Sequence, residues 1–254
     1  MRWMRVLSLS ILVLIILGLF SGAMLASTGM LGPFLVPALI LAGFNSGVAR
    51  GTCLMSELLI TLISVIEYRK AKNLDSRVII AFLPGALIVA LAATLSVKFE
   101  ELFMKLAIGI FEVVIGILMI ATAKKSNKPY SKTVCDKATL VILMFTSLLA
   151  GFAKGFFGAG WGPLGVGLFI ILGIDPRIVI GSSLVIRLIL DSVGGITYVS
   201  MNLVDYNAVI ILTLSGCVVV PLSVKLTTAI SGKTLNIIIG ATIILLGALV
   251  TMTF

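Results

Sequence analysis

The chain has 254 residues, 60% of them hydrophobic and 11% charged, with a formal net charge of +9. Soluble domains carry roughly 45–50% apolar residues, so this composition, with a mean hydropathy of +1.25, excludes an ordinary soluble protein. The lysines and arginines lie in short loops between apolar runs and form no basic face, which excludes a nucleic-acid partner.

Metal-ligating residue types are scarce. The chain contains no histidine, and its three cysteines, Cys53, Cys135 and Cys217, are odd in number and widely spaced. This spacing fits neither a disulfide framework nor a zinc site, and we interpret the cysteines as small apolar side chains. The sequence therefore predicts no metal centre and no cofactor.

The first apolar run, at about 7–26, follows a basic start and imitates a secretory signal. It is long enough to cross a hydrocarbon core of about 30 Å as a helix of about 20 residues. We expect it to be retained as the first helix, because the repeat described below requires it.

Ten apolar segments follow one another along the chain, and lipid offers no hydrogen-bond partners to an open strand edge. We therefore predict an all-α polytopic membrane protein with about ten transmembrane segments, some of them short or broken. The second segment of each half is flanked by glycine and proline and is too short for an ordinary span. The segments lie at about 7–26, 33–44, 50–66, 77–97, 105–123, 139–157, 162–174, 178–199, 207–229 and 234–253.

The two halves of the chain repeat one sequence pattern. Residues 31–54 align with residues 161–184 at an offset of 130, and the register continues to Tyr68 with Tyr198. We interpret this as an internal duplication, with one transmembrane repeat at 1–123, an inter-repeat loop at 124–137 and a second repeat at 138–254. Further matches are Asp75 with Asp205, Gly22 with Gly151, Gly29 with Gly158, Gly32 and Pro33 with Gly162 and Pro163, Gly43 with Gly173, Gly51 with Gly181, Gly109 with Gly240 and Gly116 with Gly247.

Five segments per half is an odd number, so the second repeat is predicted to be inverted relative to the first. The loops at 67–77 and 124–137 are rich in lysine and arginine and are predicted to be cytoplasmic, whereas the loop at 200–207 has no basic residue and is predicted to lie outside. Both chain ends then lie outside, which only Arg2 and Arg5 contradict.

A short segment interrupted by glycine and proline at matching places of two inverted repeats points to the binding site of a secondary transporter. A broken helix frees backbone N–H groups at a half-helix N-terminus, where the helix dipole favours an anion. Pro33 and Pro163 suit the first turn of the following helix, and the stretches 51–52 and 181–183 are a second pair of candidate helix starts. The alternative is that these glycines only allow close helix packing.

Few charged residues lie within the apolar segments, where ionisable groups are costly and usually face a partner or a water-filled pathway. Glu57 and Arg187 occupy equivalent positions in the two repeats, and Asp191 follows Arg187 by one helical turn. We expect these side chains to form ion pairs. A fixed brace between the halves and a role in substrate binding or proton coupling are both left open.

Lys154 lies one turn before the second break and has no cationic counterpart, since Leu25 stands at its place in the first half. We interpret Lys154 as a residue that matches the charge of an anion. Trp161 is either a gate or an ordinary anchor, and Glu112 is interpreted as a packing residue rather than a proton relay. Arg50 is expected near a segment edge.

The stretch GFAKGFFGAGWGP at 151–163, with LGIDPR at 172–177 and GSSL at 181–184, resembles the sulfite exporter TauE/SafE family. Its first-half echo is GMLGPFLVP at 29–37, with GT at 51–52. The resemblance spans the chain from about residue 10 to the end. It implies a multi-pass transporter of the plasma membrane that moves sulfite or sulfonates, such as sulfoacetate or taurine, commonly outward.

Carried over residue by residue, the resemblance places the substrate at the second-half break and the next helix start, beside the intramembrane cations. The predicted substrate-binding residues are Lys154, Gly158, Gly160, Trp161, Gly162, Pro163, Ser182, Ser183 and Arg187, with Gly29, Gly32, Pro33 and Thr52 as second choices. The predicted coupling or bracing charges are Glu57, Arg187 and Asp191.

The sequence contains no Gly-rich, lysine-containing ATP-binding loop, so we expect coupling to an ion gradient, with protons as the ion. The alternative is an anion channel of the same architecture, which the sparse polar residues disfavour. A membrane enzyme is disfavoured by the lack of histidine and of a nucleophile with a nearby base. The expected partners are the sulfur anion and the lipid bilayer, and a homo-oligomer is left open.

Overall fold

The protein is all-helical over the residues that its computed structural model describes, which are 2–125, 137–167, 169, 174–226 and 232–252. Ten helices and no strand occur in these residues. They are α1 (Arg2–Thr28), α2 (Gly32–Leu41), α3 (Ser46–Lys70), α4 (Ser76–Ser96), α5 (Glu101–Lys125), α6 (Lys137–Phe157), the π-helical α7 (Trp161–Val166), α8 (Pro176–Ser200), α9 (Tyr206–Leu226) and α10 (Gly232–Met252).

The helices fall on the ten predicted apolar segments, so the predicted all-α polytopic fold class is confirmed for this part of the chain. Cys135, Gly173 and most of the inter-repeat loop at 124–137 lie outside the described residues.

Seven of the described helices are long and apolar enough to cross a membrane. Their outer faces carry large apolar side chains that no other part of the chain covers, such as Leu87, which is 81% exposed, and Val218, which is 76% exposed. A surface of this kind is stable only where lipid replaces water. α2, at ten residues, and α7 are too short to span.

Helices α3 and α8 begin earlier in the chain than the sequence indicated, and each begins directly after a capping side chain. Asn45 caps α3 by accepting the backbone N–H of Gly47 at 2.9 Å, and Asp175 caps α8 by accepting that of Arg177 at 2.9 Å. The expected helix starts at 51–52 and 181–183 are therefore wrong, because both stretches lie inside a helix. For the same reason Arg50 is a buried residue within α3 and does not lie at a segment edge.

The helices pack in pairs, with α3 against α8 at the centre and α1 against α9, α4 against α6 and α5 against α10 around them. Glycines stand where backbones approach closely. A Cβ at Gly151 of α6 would overlap the carbonyl oxygen of Gly85 in α4, and one at Gly22 of α1 would overlap that of Gly216 in α9. Small residues at helix crossings are what lets transmembrane helices associate by close packing.

Contacts recur at matched positions of the two halves. The hydroxyl of Tyr68 donates to the carbonyl of Ala26 at 2.9 Å, and that of Tyr198 donates to the carbonyl of Gly155 at 3.1 Å. The packing of α1 on α9 likewise has its counterpart in that of α6 on α4. These pairs agree with the predicted duplication, whose inverted orientation stays a prediction.

Two helices end at glycines that adopt left-handed backbone conformations. α1 ends at Thr28 and is followed by Gly29 with φ 69°, and α6 ends at Phe157 and is followed by Gly158 with φ 75°. Residues with a side chain rarely adopt this conformation, so a glycine at both positions is what allows the chain to turn. The two predicted breaks are thus observed as helix ends.

Candidate functional site

Four charged side chains meet in the interior, and we call them the charge cluster. Glu57 comes from α3, Lys154 from α6, and Arg187 and Asp191 from successive turns of α8. All four side chains are buried, none more than 2% exposed. Solvent therefore reaches the cluster from neither side of the molecule in this arrangement.

The cluster is cross-linked by ion pairs in which each cation contacts both carboxylates. Nη2 of Arg187 lies 2.8 Å from Oε2 of Glu57, and Nε of Arg187 lies 3.4 Å from Oδ2 of Asp191. Nζ of Lys154 donates to the same oxygen of Glu57 and lies 3.4 Å from Oδ1 of Asp191. The two positive and two negative charges sum to zero, which is how buried charge is tolerated in a low-dielectric interior.

The cations also hold the backbone at the two helix ends. Arg187 donates through Nη1 to the carbonyl of Gly29, and Nζ of Lys154 lies 3.5 Å from the carbonyl oxygen of Gly158. The last carbonyls of a helix have no partner within the helix and form its negative end. The sequence pointed to N–H donors at the helix starts that follow the breaks. α2 and α7 begin at Gly32 and Trp161, next to these carbonyls, and anion binding by their N–H groups stays a prediction.

The two breaks lie against each other. A Cβ at Gly32 would overlap the carbonyl oxygen of Gly158, and one at Gly162 would lie 3.2 Å from the carbonyl oxygen of Gly29. Because the backbones touch here, the predicted first-half and second-half residues form one region rather than two. Ser183 also belongs to it, since its Oγ would lie 3.8 Å from a Cβ at Gly29.

Thr52 and Ser182 use their hydroxyls elsewhere. The hydroxyl oxygen of Ser182 accepts the backbone N–H of Asp75 at 2.9 Å, and that of Thr52 accepts the backbone N–H of Asp205 at 3.0 Å. These bonds tie each central helix to a loop of the other half. The structure therefore does not bring Thr52 and Ser182 into the charge cluster.

Trp161 is buried at the start of α7, with its ring 5.1 Å from that of Phe82, which in turn stacks on Phe169 at 4.1 Å. Its indole N–H has no hydrogen-bond partner among the described residues. An unpartnered buried donor is uncommon. The indole N–H of Trp161 is therefore, within the described part of the chain, an unsatisfied donor at the second break.

The two remaining predicted residues of the second break, Gly160 and Pro163, shape the backbone around Trp161. Gly160 has φ 102°, and a Cβ there would lie 2.8 Å from Cβ of Ala153 and 2.9 Å from Cζ of Phe111. Pro163 is half-buried within α7, whereas its counterpart Pro33 is buried in the first turn of α2, as predicted.

Sequence reasoning missed three polar partners of the interior. Cys53 donates through Sγ to Glu57 at 3.2 Å, and Thr61 donates to Asp191 at 3.4 Å. Arg50 donates to the carbonyl of Phe156 at 2.8 Å near the end of α6. The contact of Thr61 with Asp191 could have been predicted from the internal repeat. Thr61 precedes Asp191 by 130 residues, as Glu57 precedes Arg187.

No group of three or more cysteine, aspartate or glutamate side chains that would suit a metal ion occurs within the described part of the chain.

The described part of the chain contains helices long enough to cross a membrane, so the protein is a multi-pass membrane protein. Its interior contains buried, paired charges at two helix ends, as is typical of proteins that move ions or charged substrates. The chain belongs to the sulfite exporter TauE/SafE family, whose model matches residues 14–250. It is also 25% identical over 248 residues to the Probable membrane transporter protein YjnA of Bacillus subtilis (strain 168), which covers 92% of this chain and 97% of that protein. The family resemblance seen in the sequence is confirmed, and the protein is a membrane transporter.

Proposed function

We propose that the protein is a secondary transporter that exports small sulfur-containing anions, sulfite or sulfonates such as sulfoacetate and taurine, across the plasma membrane, coupled to the proton gradient. One observation carries the proposal: Lys154 and Arg187 are buried between spanning helices where two helix ends meet. Intramembrane cations of this kind are costly and mark ion or substrate pathways.

An anion binds by taking the place of a carboxylate. In the observed arrangement Glu57 and Asp191 neutralise both cations, and an oxyanion offers Lys154 and Arg187 the same charge-assisted hydrogen bonds. The unpartnered indole N–H of Trp161 adds a donor at the neighbouring break. We assign to the same site Gly158, Gly160, Gly162 and Pro163 of this break, Gly29 and Gly32, which lie against it, Pro33 in the first turn of α2, and Ser183 beside Gly29.

Thr52 and Ser182 are assigned a supporting part. Their hydroxyls hold the loops at Asp205 and Asp75 against the central helices, so they orient the site without contacting the anion.

A transporter fits this geometry better than a channel. A channel needs a continuous polar lining, whereas the charge cluster is closed to solvent on both sides and cross-linked between α3, α6 and α8. An anion reaches it only after these helices separate on one side. A conformational change in every cycle is what distinguishes alternating access from conduction.

The decisive experiment measures flux. Purified protein is reconstituted into liposomes that are loaded with radiolabelled sulfite or taurine. Efflux of the label is followed with and without a pH gradient. We expect saturable efflux that responds to the gradient and is lost in Lys154→Met. Lys98→Met is the matched control, because Lys98 is an exposed lysine beyond the end of α4. Absence of efflux for every sulfur anion contradicts the proposed substrate class. Single-channel current steps in a planar bilayer contradict the proposal that the protein is a transporter rather than a channel.

A further inference from the structure

One buried carboxyl group in the spanning part of the molecule, that of Glu112, takes no part in the charge cluster. Glu112 stands on α5, facing α10, where its Cβ would lie 3.0 Å from a Cβ at Gly247. Its side chain is fully buried, and neither carboxyl oxygen has a hydrogen-bond partner among the described residues. Packing alone does not explain a carboxyl group at such a position, where a methyl-bearing side chain fills the same space.

The charges around Glu112 are few. α5 packs against α2, α3, α6, α7 and α10, and no described side chain of α2, α7 or α10 is ionisable. On α3, Arg50 is bonded to backbone carbonyls and Glu57 belongs to the charge cluster, while Glu67, Arg69 and Lys70 stand at its far end. On α6, Lys154 is the one described charge that interacts electrostatically with Glu112.

Charge balance decides the state of this carboxyl group. The formal charges of the four cluster members sum to zero, and the other described buried cation, Arg50, is bonded to backbone carbonyls, so an ionised Glu112 would find no cation in the described interior that is not already paired or bonded. An isolated carboxylate in a low-dielectric interior takes up a proton rather than remain charged. Lys154 does not prevent this, because Glu57 and Asp191 already hold it.

We propose that Glu112 is a proton-binding site whose occupancy is linked to the anion at Lys154, an inference that rests on the proposed function. With the cluster closed, Glu112 holds a proton. An anion that arrives at Lys154 adds negative charge within electrostatic range of Glu112, so it strengthens the binding of that proton, and by reciprocity the proton strengthens the binding of the anion. Proton and anion therefore bind together to the same conformation.

The first test measures anion affinity against pH. The probe is methanesulfonate, whose charge is constant across the pH range, and its dissociation constant is measured on purified wild-type protein and on Glu112→Gln. In the wild type we expect the dissociation constant to rise by up to about tenfold per pH unit once Glu112 ionises, the limit for one linked proton. In Glu112→Gln, which is permanently uncharged, we expect the low-pH affinity at every pH, and Glu112→Asp restores the dependence.

The matched control is Glu100→Gln, which removes an exposed carboxylate just before α5 and leaves the pH dependence intact. An unchanged pH dependence in Glu112→Gln, or none in the wild type, overturns the assignment.

The second test needs no substrate. The infrared spectrum of the wild-type protein is expected to contain the C=O stretch of a protonated, buried carboxyl group that is missing in Glu112→Gln and present in Glu100→Gln. Absence of that difference overturns the assignment. If the wild-type protein binds no sulfur anion at all, the proposed function fails, while the infrared band still decides whether Glu112 holds a proton.

Discussion

At the scale of single residues, Lys154 determines the charge of the interior. Without it, Glu57, Asp191 and Arg187 would leave a net negative charge that repels an anion. With it, the cluster is neutral, and α6 is joined to both central helices. A buried ion pair of this kind gives little net stability, because its attraction mainly offsets the cost of removing the charges from water.

Replacement of Arg187 by alanine is expected to abolish anion efflux and to lower the free energy of unfolding by about 3–5 kcal/mol, because it leaves a carboxylate uncompensated. Denaturant unfolding in detergent and liposome flux measure the two effects. The double variant Glu57→Gln with Arg187→Ala restores the charge balance, so we expect it to regain stability but not transport. Arg177→Ala, an exposed site on the same helix, is the control. Normal efflux in Arg187→Ala rules out its role as an anion ligand.

At the scale of helices, glycines at the crossings fix how closely the outer helices pack. The crossing of α4 and α6 places Gly85 against Gly151, and the crossing of α5 and α10 places Gly109 against Gly247 and Gly116 against Gly240. At each of these points the atoms that a Cβ would overlap include a backbone carbonyl oxygen, which cannot move aside as the end of a flexible side chain can.

Gly151→Ala is therefore expected to destabilise the protein by about 1–3 kcal/mol, because its new methyl group overlaps backbone atoms of Gly85. Gly194→Ala on α8 is the matched control, since its methyl group meets only side-chain atoms of Leu54 and Val89 at 3.4 Å. That variant gains up to about 1 kcal/mol from helix propensity. Thermal unfolding in one detergent compares the pair, and equal stability of the two would contradict the packing argument.

At the scale of the whole molecule, the matched contacts of the two halves favour a pseudo-two-fold arrangement. Lys72 and Asn202, which are 130 residues apart, share an unusual φ of 57°, and both follow the end of a central helix. If the halves are inverted, these two helix ends lie on opposite sides of the membrane.

Cysteine labelling measures this directly. In a variant in which the native cysteines are replaced, Lys70→Cys is expected to react with an impermeant maleimide only from the cytoplasm, and Ser200→Cys only from outside. Both positions are exposed, and they are equivalent in the two repeats. Reaction of both cysteines from one side would show that the halves are parallel.

The helices and part of the charge cluster were predictable from the sequence for physical reasons. The apolar runs predicted the helices because a helix that spans lipid needs an apolar surface. The offset of 130 predicted the pair of Glu57 and Arg187, which is observed because α3 and α8 pack against each other. The close approach of helices at glycines was also predictable, because the alternative interpretation of the matched glycines was that they allow close helix packing.

Other features were beyond the sequence. Lys154 has no counterpart in the first half, so no internal match pointed to Glu57 as its partner. Thr52 and Ser182 bond to loop residues that are 153 and 107 residues away in the sequence. These contacts form only when both halves are folded against each other, so local sequence patterns did not indicate them.

The meeting of Glu57 with Arg187, and of Thr61 with Asp191, has a consequence for how such a molecule is assembled. In a homodimer of two identical chains, a residue on the symmetry axis faces its own copy, glutamate against glutamate or arginine against arginine, and the like charges repel. The two sides are free to differ only when the two copies differ in sequence, as the two halves of this polypeptide do. If the halves are related by such an axis, a carboxylate opposite a guanidinium needs two different halves, and a version of this protein split into identical subunits would have to give the pair up.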